Sequence, residues 1–291
     1  MPGKSVHPIP ADEVWDTTAV SQRSAELLAE LLRWRRPRRV LVDITARLAP
    51  DNEDLAKLWA VMATGGEHLF QVLTADPEHL RKTLSSREFR NRVCEHYVPL
   101  ITRAPCRIQY PPAWDQCWPA PHIWIGARVE TQSDADGIAA TLLRTPSAHH
   151  WVCVVPRSAL DISSVLLPPP GTPKLEWVVC GGQSGKHAWP IHPEWIRTLR
   201  DQTNAAGVPF CFHQWGHWRW AREVQDLDYA QKHGDQYTFL RWEVVDPSGQ
   251  IVEDNRPREG CAIMQRAGAG RAGREIDGRT WEQHPPIGDA P

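Results

Sequence analysis

The sequence predicts an α/β protein, an incomplete TIM-like (β/α) barrel of about six parallel strands with a C-terminal extension. Three observations lead there. Short apolar runs of strand length alternate with segments of helical periodicity about six times along the chain. The runs are apolar throughout, as strands covered on both faces are. A polar or Gly-rich position follows each run, at Thr45, Thr74, Glu130, Arg157, Gln183 and Gln214. In a barrel these positions converge on one mouth, where such folds place their chemistry.

The elements are read in order. Residues 1–20 are Pro-rich and read as an irregular N-terminal arm. From Ser21, the spacing of Ala25, Leu27, Leu28, Leu31, Leu32 and Trp34 predicts a helix that ends before Pro37. Val40–Ile44 is a buried strand. Asp51 or Asn52 caps a helix through Met62, which Gly65-Gly66 terminates. Leu69–Thr74 is a strand, and helices fill Pro77–Leu84 and Arg87–Tyr97. Pro99–Pro121 reads as a loop. His122–Glu130 is a strand, and Ser133 caps the helix after it. Trp151–Val155 and Leu175–Cys180 are strands, the second running into Gly181-Gly182-Gln183-Ser184-Gly185. Pro193 starts a helix that Gly207 ends, and Phe210–His213 closes the series. The barrel thus spans 21–220, and residues 221–291, polar and rich in Gly and Arg, form an extension packed on it.

Composition removes several function classes. Hydrophobic residues are 41% and charged residues 23%, enough for a real core and too apolar for a disordered chain. Seven Cys in 291 residues are too sparse, and odd in number, for a disulfide-built scaffold. With 33 basic and 35 acidic residues there is no global basic field for nucleic acid. No apolar run reaches the roughly 18 residues of a membrane span, and Met1–His7 has no signal-peptide core. A cytoplasmic protein without membrane contact is expected. Trp is the anomaly: 15 residues, against 5 Phe and 4 Tyr. Such an excess suggests a stacking surface.

Each chemical motif has a structural alternative. The glycines of Gly181–Gly185 either cradle an anion with their backbone amides or serve a tight turn. No GxxxxGK is present, so this is not a Walker loop. Cys153, Cys180 and Cys211 lie on successive strands and read as metal ligands or as small buried hydrophobes; no ligand spacing supports the first. His213 and His217 are four apart, but a strand and a glycine intervene, so His213 reads as a polar group at the mouth. His149-His150 is placed in solvent before a strand. Arg33, Arg35, Arg36, Arg38 and Arg39 surround Trp34, either to grip phosphates with Trp34 stacking a base or as a solvated junction. Trp215 and Trp218 read as a binding platform for a base or a partner or, in preference, as a plug closing the barrel end. Trp220, and the loop residues Trp114 and Trp118, read as candidates for partner contact.

Longer matches carry a resemblance. LLRWRRPRRVLV (31–42), FQVLT (70–74), IWIG with VE (123–126, 129–130), EWVVCGGQSG (176–185), HPEWIRTLRDQTNAAGVPFCFHQWGHW (192–218) and RAGAGRAGREIDGRTW (266–281) run in one order. In this the chain resembles the phage and prophage gene product 37/68 family, radical-SAM-like proteins distantly related to spore photoproduct lyase. The resemblance implies a radical-SAM-like barrel with a three-Cys loop after its first strand, holding a [4Fe–4S] cluster that leaves one iron for S-adenosylmethionine. This sequence has no Cys before Cys94, and the cluster loop and its strand read as deleted. The family's TKRP reads Thr74-Ala75-Asp76-Pro77, its CEPL reads Val154-Val155-Pro156-Arg157, its GGESG reads Gly181–Gly185 with Gln183 for Glu, and its FKQWG reads Phe212–Gly216 with His213 for Lys. Glu-to-Gln keeps hydrogen bonding and removes the general base.

The expectation is therefore a phage-encoded, catalytically degenerate relative in the cytoplasm of an infected or lysogenic bacterium. It would act by binding a host or phage protein or a nucleic acid, with neither S-adenosylmethionine nor a cluster as cofactor. The alternative is an active enzyme of DNA or nucleotide repair using an unconventional or partner-supplied cofactor. A ligand would meet Asp43, Thr74, Glu130, Gly181, Gly182, Gln183, Ser184, His213 and Gln214 at the mouth. Trp34, Trp124, Trp177, Trp195, Trp215, Trp218 and Trp281 fall inside the family motifs, which leaves Trp15, Trp59, Trp114, Trp118, Trp151, Trp189, Trp220 and Trp242 for any new surface.

Overall fold

The computed structural model describes residues 13–16, 29–44, 52–103, 118–221 and 242–285, apart from 255, 257 and 269. Its main sheet takes its strands in chain order: β1 Glu13–Asp16, β2 Arg39–Asp43, β3 Leu69–Thr74, β4 Ile123–Val129, β5 His150–Val154, β6 Trp177–Gly181 and β7 Phe210–Gln214. Every neighbouring pair is parallel. The strands from β2 to β7 form the curled half-barrel that the alternating pattern predicts. β1 adds a further strand at the β2 edge, inside the stretch read as an irregular arm, with Val14 beside Leu41 and Asp16 beside Asp43. Four residues after a Pro-rich stretch carry too little pattern to announce a strand that pairing with β2 defines.

The period of two along each strand divides the side chains between two faces. Val40, Val42, Phe70, Val72, Ile125, Val152, Val178 and Phe212 pack under the helices with Leu55, Leu58, Leu80, Ile196 and Leu199. Leu41, Leu69, Leu73, Trp124, Trp151, Cys153, Trp177, Val179 and Cys211 form a separate inner cluster that contains strand residues and the loop residue Trp189. The helices are Asn52–Thr64, Pro77–Ser85, Arg87–Arg103, Ser163–Leu166 and Pro193–Ala205, with a composite one made of Gln132–Asp134, π-helical Ala135–Ala139 and Ala140–Leu142.

Two boundaries differ from the sequence reading. The helix from Arg87 runs through Pro99 to Arg103, so the loop begins later; a single Pro removes one helical N–H and does not by itself end a helix held by packing on both sides. The composite helix is capped by Thr131, not Ser133. The Thr131 hydroxyl accepts from Asp134 N–H and the Asp134 carboxylate accepts from Thr131 N–H, a reciprocal capping box.

The segment after β7 turns back on the barrel. β8 Trp218–Trp220, β9 Trp242–Val245 and β10 Ala262–Arg266 make an antiparallel sheet with β10 in the middle. A two-residue hairpin, β11 Glu275–Ile276 and β12 Arg279–Thr280, leads to a strap along the free edge of β7. Phe212 N–H donates to Trp281 O at 2.8 Å, Gln283 N–H to Phe210 O at 3.1 Å, and Phe210 N–H to the Gln283 side-chain oxygen at 2.9 Å. The strap satisfies an edge that would otherwise template another strand. Among the described residues no helix is long and apolar enough to cross a membrane.

Candidate functional site at the carboxyl ends of the strands

All seven strands run the same way, so their carboxyl ends share one rim. Asp43 ends β2 and is half-buried. At the end of β4, Arg128 and Glu130 point inward, because Ile125, Ala127 and Val129 take the helix side. Glu130 is gripped from both sides: Arg128 Nε donates to one carboxylate oxygen at 2.8 Å and Arg157 Nε to the other at 2.9 Å. The Arg157 N–H also donates to Glu130 O at 2.9 Å. The Arg157 guanidinium lies 3.8 Å from the Trp189 ring centroid, and Trp189 is itself fixed by a 3.1 Å hydrogen bond from its Nε1 to Pro156 O. Cation–π contact of this kind adds to the ion pair and sets the plane of the fork. Arg128 was not among the residues singled out in the sequence, whereas Trp189 was one of the Trp residues left there for a new surface. Arg128 leaves a trace, a lone charge in the apolar run HIWIGARVE two residues before Glu130, which places both on one face.

The Gly181–Gly185 loop is bound to the loop after β7. Gly182 N–H donates to Gln214 O at 2.8 Å and His217 N–H to Gln183 O at 3.1 Å. Gly185 N–H donates to His217 Nδ1 at 3.0 Å, and Arg266 donates to the Gly185 and Lys186 carbonyls. A Cβ on Gly182 would stand 2.0 Å from Trp215 O, and one on Gly216, whose φ is +80°, 2.3 Å from Gln183 O. Gly182 therefore serves a close backbone approach, and two of the loop amides are already bonded to the protein. What the loop leaves open are side chains. The Gln183 side-chain oxygen Oε1 and the Ser184 hydroxyl are shielded from solvent and have no hydrogen-bond partner, a condition that a ligand or a water relieves.

Other predicted site residues are placed as follows. Thr74 pairs with Ala127 on the helix side, and its hydroxyl accepts from Asp76 N–H at 3.0 Å, so it shapes the turn into the helix at Pro77. His213 is half-buried at a bulge where Gly181 faces Gln214, and Gln214 is buried. Cys153 and Cys211 belong to the inner cluster, while Cys180 lies among the helix-side residues. The register explains this: Cys180 stands beside Val154 and Phe212, one residue out of step with the other two. Burial pushes the Cys153 and Cys211 thiols up to about 12 and raises Cys180 well above the usual thiol range. These are uncharged core side chains. Among the described residues no group of three or more His, Cys, Asp or Glu could hold a metal ion.

The Arg run sits at the amino end of β2, opposite the rim. Trp34 is buried, edge-on to His68 at 5.1 Å and covered by Arg38 at 4.9 Å, so it offers no face for a base. Arg33, Arg35 and Arg36 are exposed. Trp215 and Trp218 are core residues. Trp220 is half-buried with Arg197 over its ring at 4.8 Å, and Trp118 packs against Phe89. Trp114 lies outside the described residues. His150 is buried, its Nε2 bonded to Thr145 O at 2.9 Å, and His149 pairs with Glu176; neither stands free in solvent as the sequence suggested, because β5 begins at His150 and pairs there with Ile125.

The family model described as a protein of unknown function, DUF5131, matches residues 5–285. No curated protein and no solved structure matches the chain.

Proposed function

The chain belongs to the DUF5131 family, and we propose that it is a radical-SAM-like barrel of phage type that has left radical chemistry and works by binding. Its ligand site is the rim at the carboxyl ends of the strands, and its further partner is a host or phage protein or a nucleic acid. One observation carries the reading. Among the described residues, the strand thiols Cys153, Cys180 and Cys211 are held neutral by burial and split between two faces of the sheet, while no Cys precedes Cys94 where a cluster loop would lie. A cluster needs accessible thiolates on one side. At the end of β4, Glu130 is held between two guanidiniums and is not an unpaired base. The rim keeps a shape and hydrogen-bonding groups suited to a ligand, and fold alone does not fix what that ligand is.

Anaerobic reconstitution with iron and sulfide tests the reading. The expected product is a colourless protein that does not cleave S-adenosylmethionine. A brown protein that releases 5′-deoxyadenosine would establish the enzyme alternative instead.

A further inference from the structure

Resting on that reading of the rim as a binding site, the geometry points to the class of ligand: we infer that Arg128 and Arg157 together bind the oxyanion of a small phosphate monoester or pyrophosphate. Each guanidinium spends its Nε on Glu130. Their terminal Nη1 and Nη2 groups make no hydrogen bond to a described residue, which leaves two forks with their outer edges unused. Both forks reach solvent: the Arg157 side chain is 54% exposed and Arg128 31%, against 23% for Glu130 between them.

The forks are also built. Arg157 is fixed by three contacts, the Glu130 carboxylate, the Trp189 ring at 3.8 Å and its own N–H on Glu130 O. Trp189 is fixed in turn by Pro156 O. A side chain ordered before binding does not lose its rotamer entropy on binding, and the planar guanidinium matches tetrahedral oxyanions through paired N–H groups. A structural ion pair needs one arginine; a second on the same carboxylate leaves net positive charge on the trio. A phosphate, with three terminal oxygens and up to two charges, can accept from both forks at once. A carboxylate with two oxygens is already present as Glu130.

Titration calorimetry of the full chain with inorganic pyrophosphate at low salt tests this. Saturable one-site binding is expected, weakened about tenfold to a hundredfold in Arg157→Ala and in Arg128→Ala, the loss of a charge-assisted hydrogen-bond pair. Arg92→Ala removes a surface charge from the helix Arg87–Arg103 and should leave the affinity unchanged. Arg157→Lys keeps the charge and loses the planar fork; it should bind as weakly as the alanine variant, and it decides the matter should either alanine variant fail to fold. The inference is overturned by an absence of saturable binding at millimolar pyrophosphate, by equal affinity in wild type and the rim variants, or by binding of a single-stranded oligonucleotide without binding of pyrophosphate. These outcomes are separate from the iron and S-adenosylmethionine result, which bears on the loss of radical chemistry and not on the forks.

Discussion

Replacing Gly182 with Ala tests whether the Gly-rich segment at the end of β6 is a backbone joint. The added Cβ would lie 2.0 Å from Trp215 O, 2.4 Å from Trp215 C and 2.9 Å from Gly216 N. Ordinary contact needs about 3.5 Å, so the two loops must part by about 1.5 Å. All three atoms are backbone, so no rotamer change relieves the clash. Parting the loops strains or breaks the Gly182 N–H to Gln214 O bond at 2.8 Å and the His217 N–H to Gln183 O bond at 3.1 Å. Two backbone hydrogen bonds at about 1 kcal/mol each, added to an overpacking cost of about 1–3 kcal/mol, give a destabilisation of about 3–5 kcal/mol. Urea unfolding followed by far-UV circular dichroism measures it, with Gly66→Ala as the control. Gly66 has nothing within 4 Å of its Cβ position and should change stability by less than about 0.5 kcal/mol. A Gly182→Ala loss below about 1 kcal/mol would refute the interlocked backbones and return the glycine to the anion-cradle reading.

Other predictions follow from the same packing. Gly126→Ala places a Cβ 2.2 Å from Trp151 Cε2, so the indole must leave its site; a loss of about 2–3 kcal/mol is expected, and in a Gly126→Ala/Trp151→Val double variant the two effects should fall short of their sum. Thr131→Ala removes one half of the capping box and should cost about 1 kcal/mol by urea midpoint, whereas Ser133→Ala should be neutral. His122 and His150 are held below the ordinary 6.5 first by burial, each with Nε2 on a backbone carbonyl. Above 6.5 both folded and unfolded chains carry them neutral; as pH falls below it the unfolded chain takes up protons that the fold refuses. Stability should therefore fall on acidification, by up to about 1.4 kcal/mol per pH unit for each histidine, and His150→Gln should flatten the dependence of the urea midpoint.

What the sequence showed was the part written in local pattern. Six strands and their order follow from apolar runs such as Val40–Asp43 and Trp177–Cys180, whose periodicity belongs to the strand itself. β1 was invisible because Glu13–Asp16 becomes a strand through its parallel register with β2. The same holds for the rim. Glu130 was legible as a charge after a strand, but its state depends on Arg157, 27 residues away, and on Trp189 beneath that arginine. Cys153, Cys180 and Cys211 looked alike in sequence because each sits within a strand; only the cross-strand register separates Cys180 from the other two. The Arg run was read with Trp34 as a unit, yet the helix periodicity that put Leu31 inward put Trp34 inward as well, leaving Arg33, Arg35 and Arg36 outside without an aromatic partner from that helix.

The Trp excess has a cause in the incomplete barrel. A closed barrel of eight strands fills its interior with layers of branched aliphatic side chains from opposite walls. Here the parallel sheet stops at β7, and among the described residues the inner face of its middle strands is filled by larger side chains. Trp124, Trp151 and Trp177 supply them, with ring centroids 5.7 Å apart for Trp151 and Trp177 and 6.4 Å for Trp124 and Trp177. Each indole buries on the order of 200 Å². Trp177 also joins this layer to the edge strap, its Nε1 donating to Gln283 O at 2.9 Å and its ring meeting His284 at 5.3 Å. Membership of a family motif thus does not separate framework from surface: Trp151, outside the motifs, is as buried as Trp177 inside them. The separation lies along the strands. Toward their carboxyl ends the indole layer gives way to Trp189, half-buried, with Arg157 on its face, and that is where the aromatic interior meets solvent and where the proposed ligand would sit.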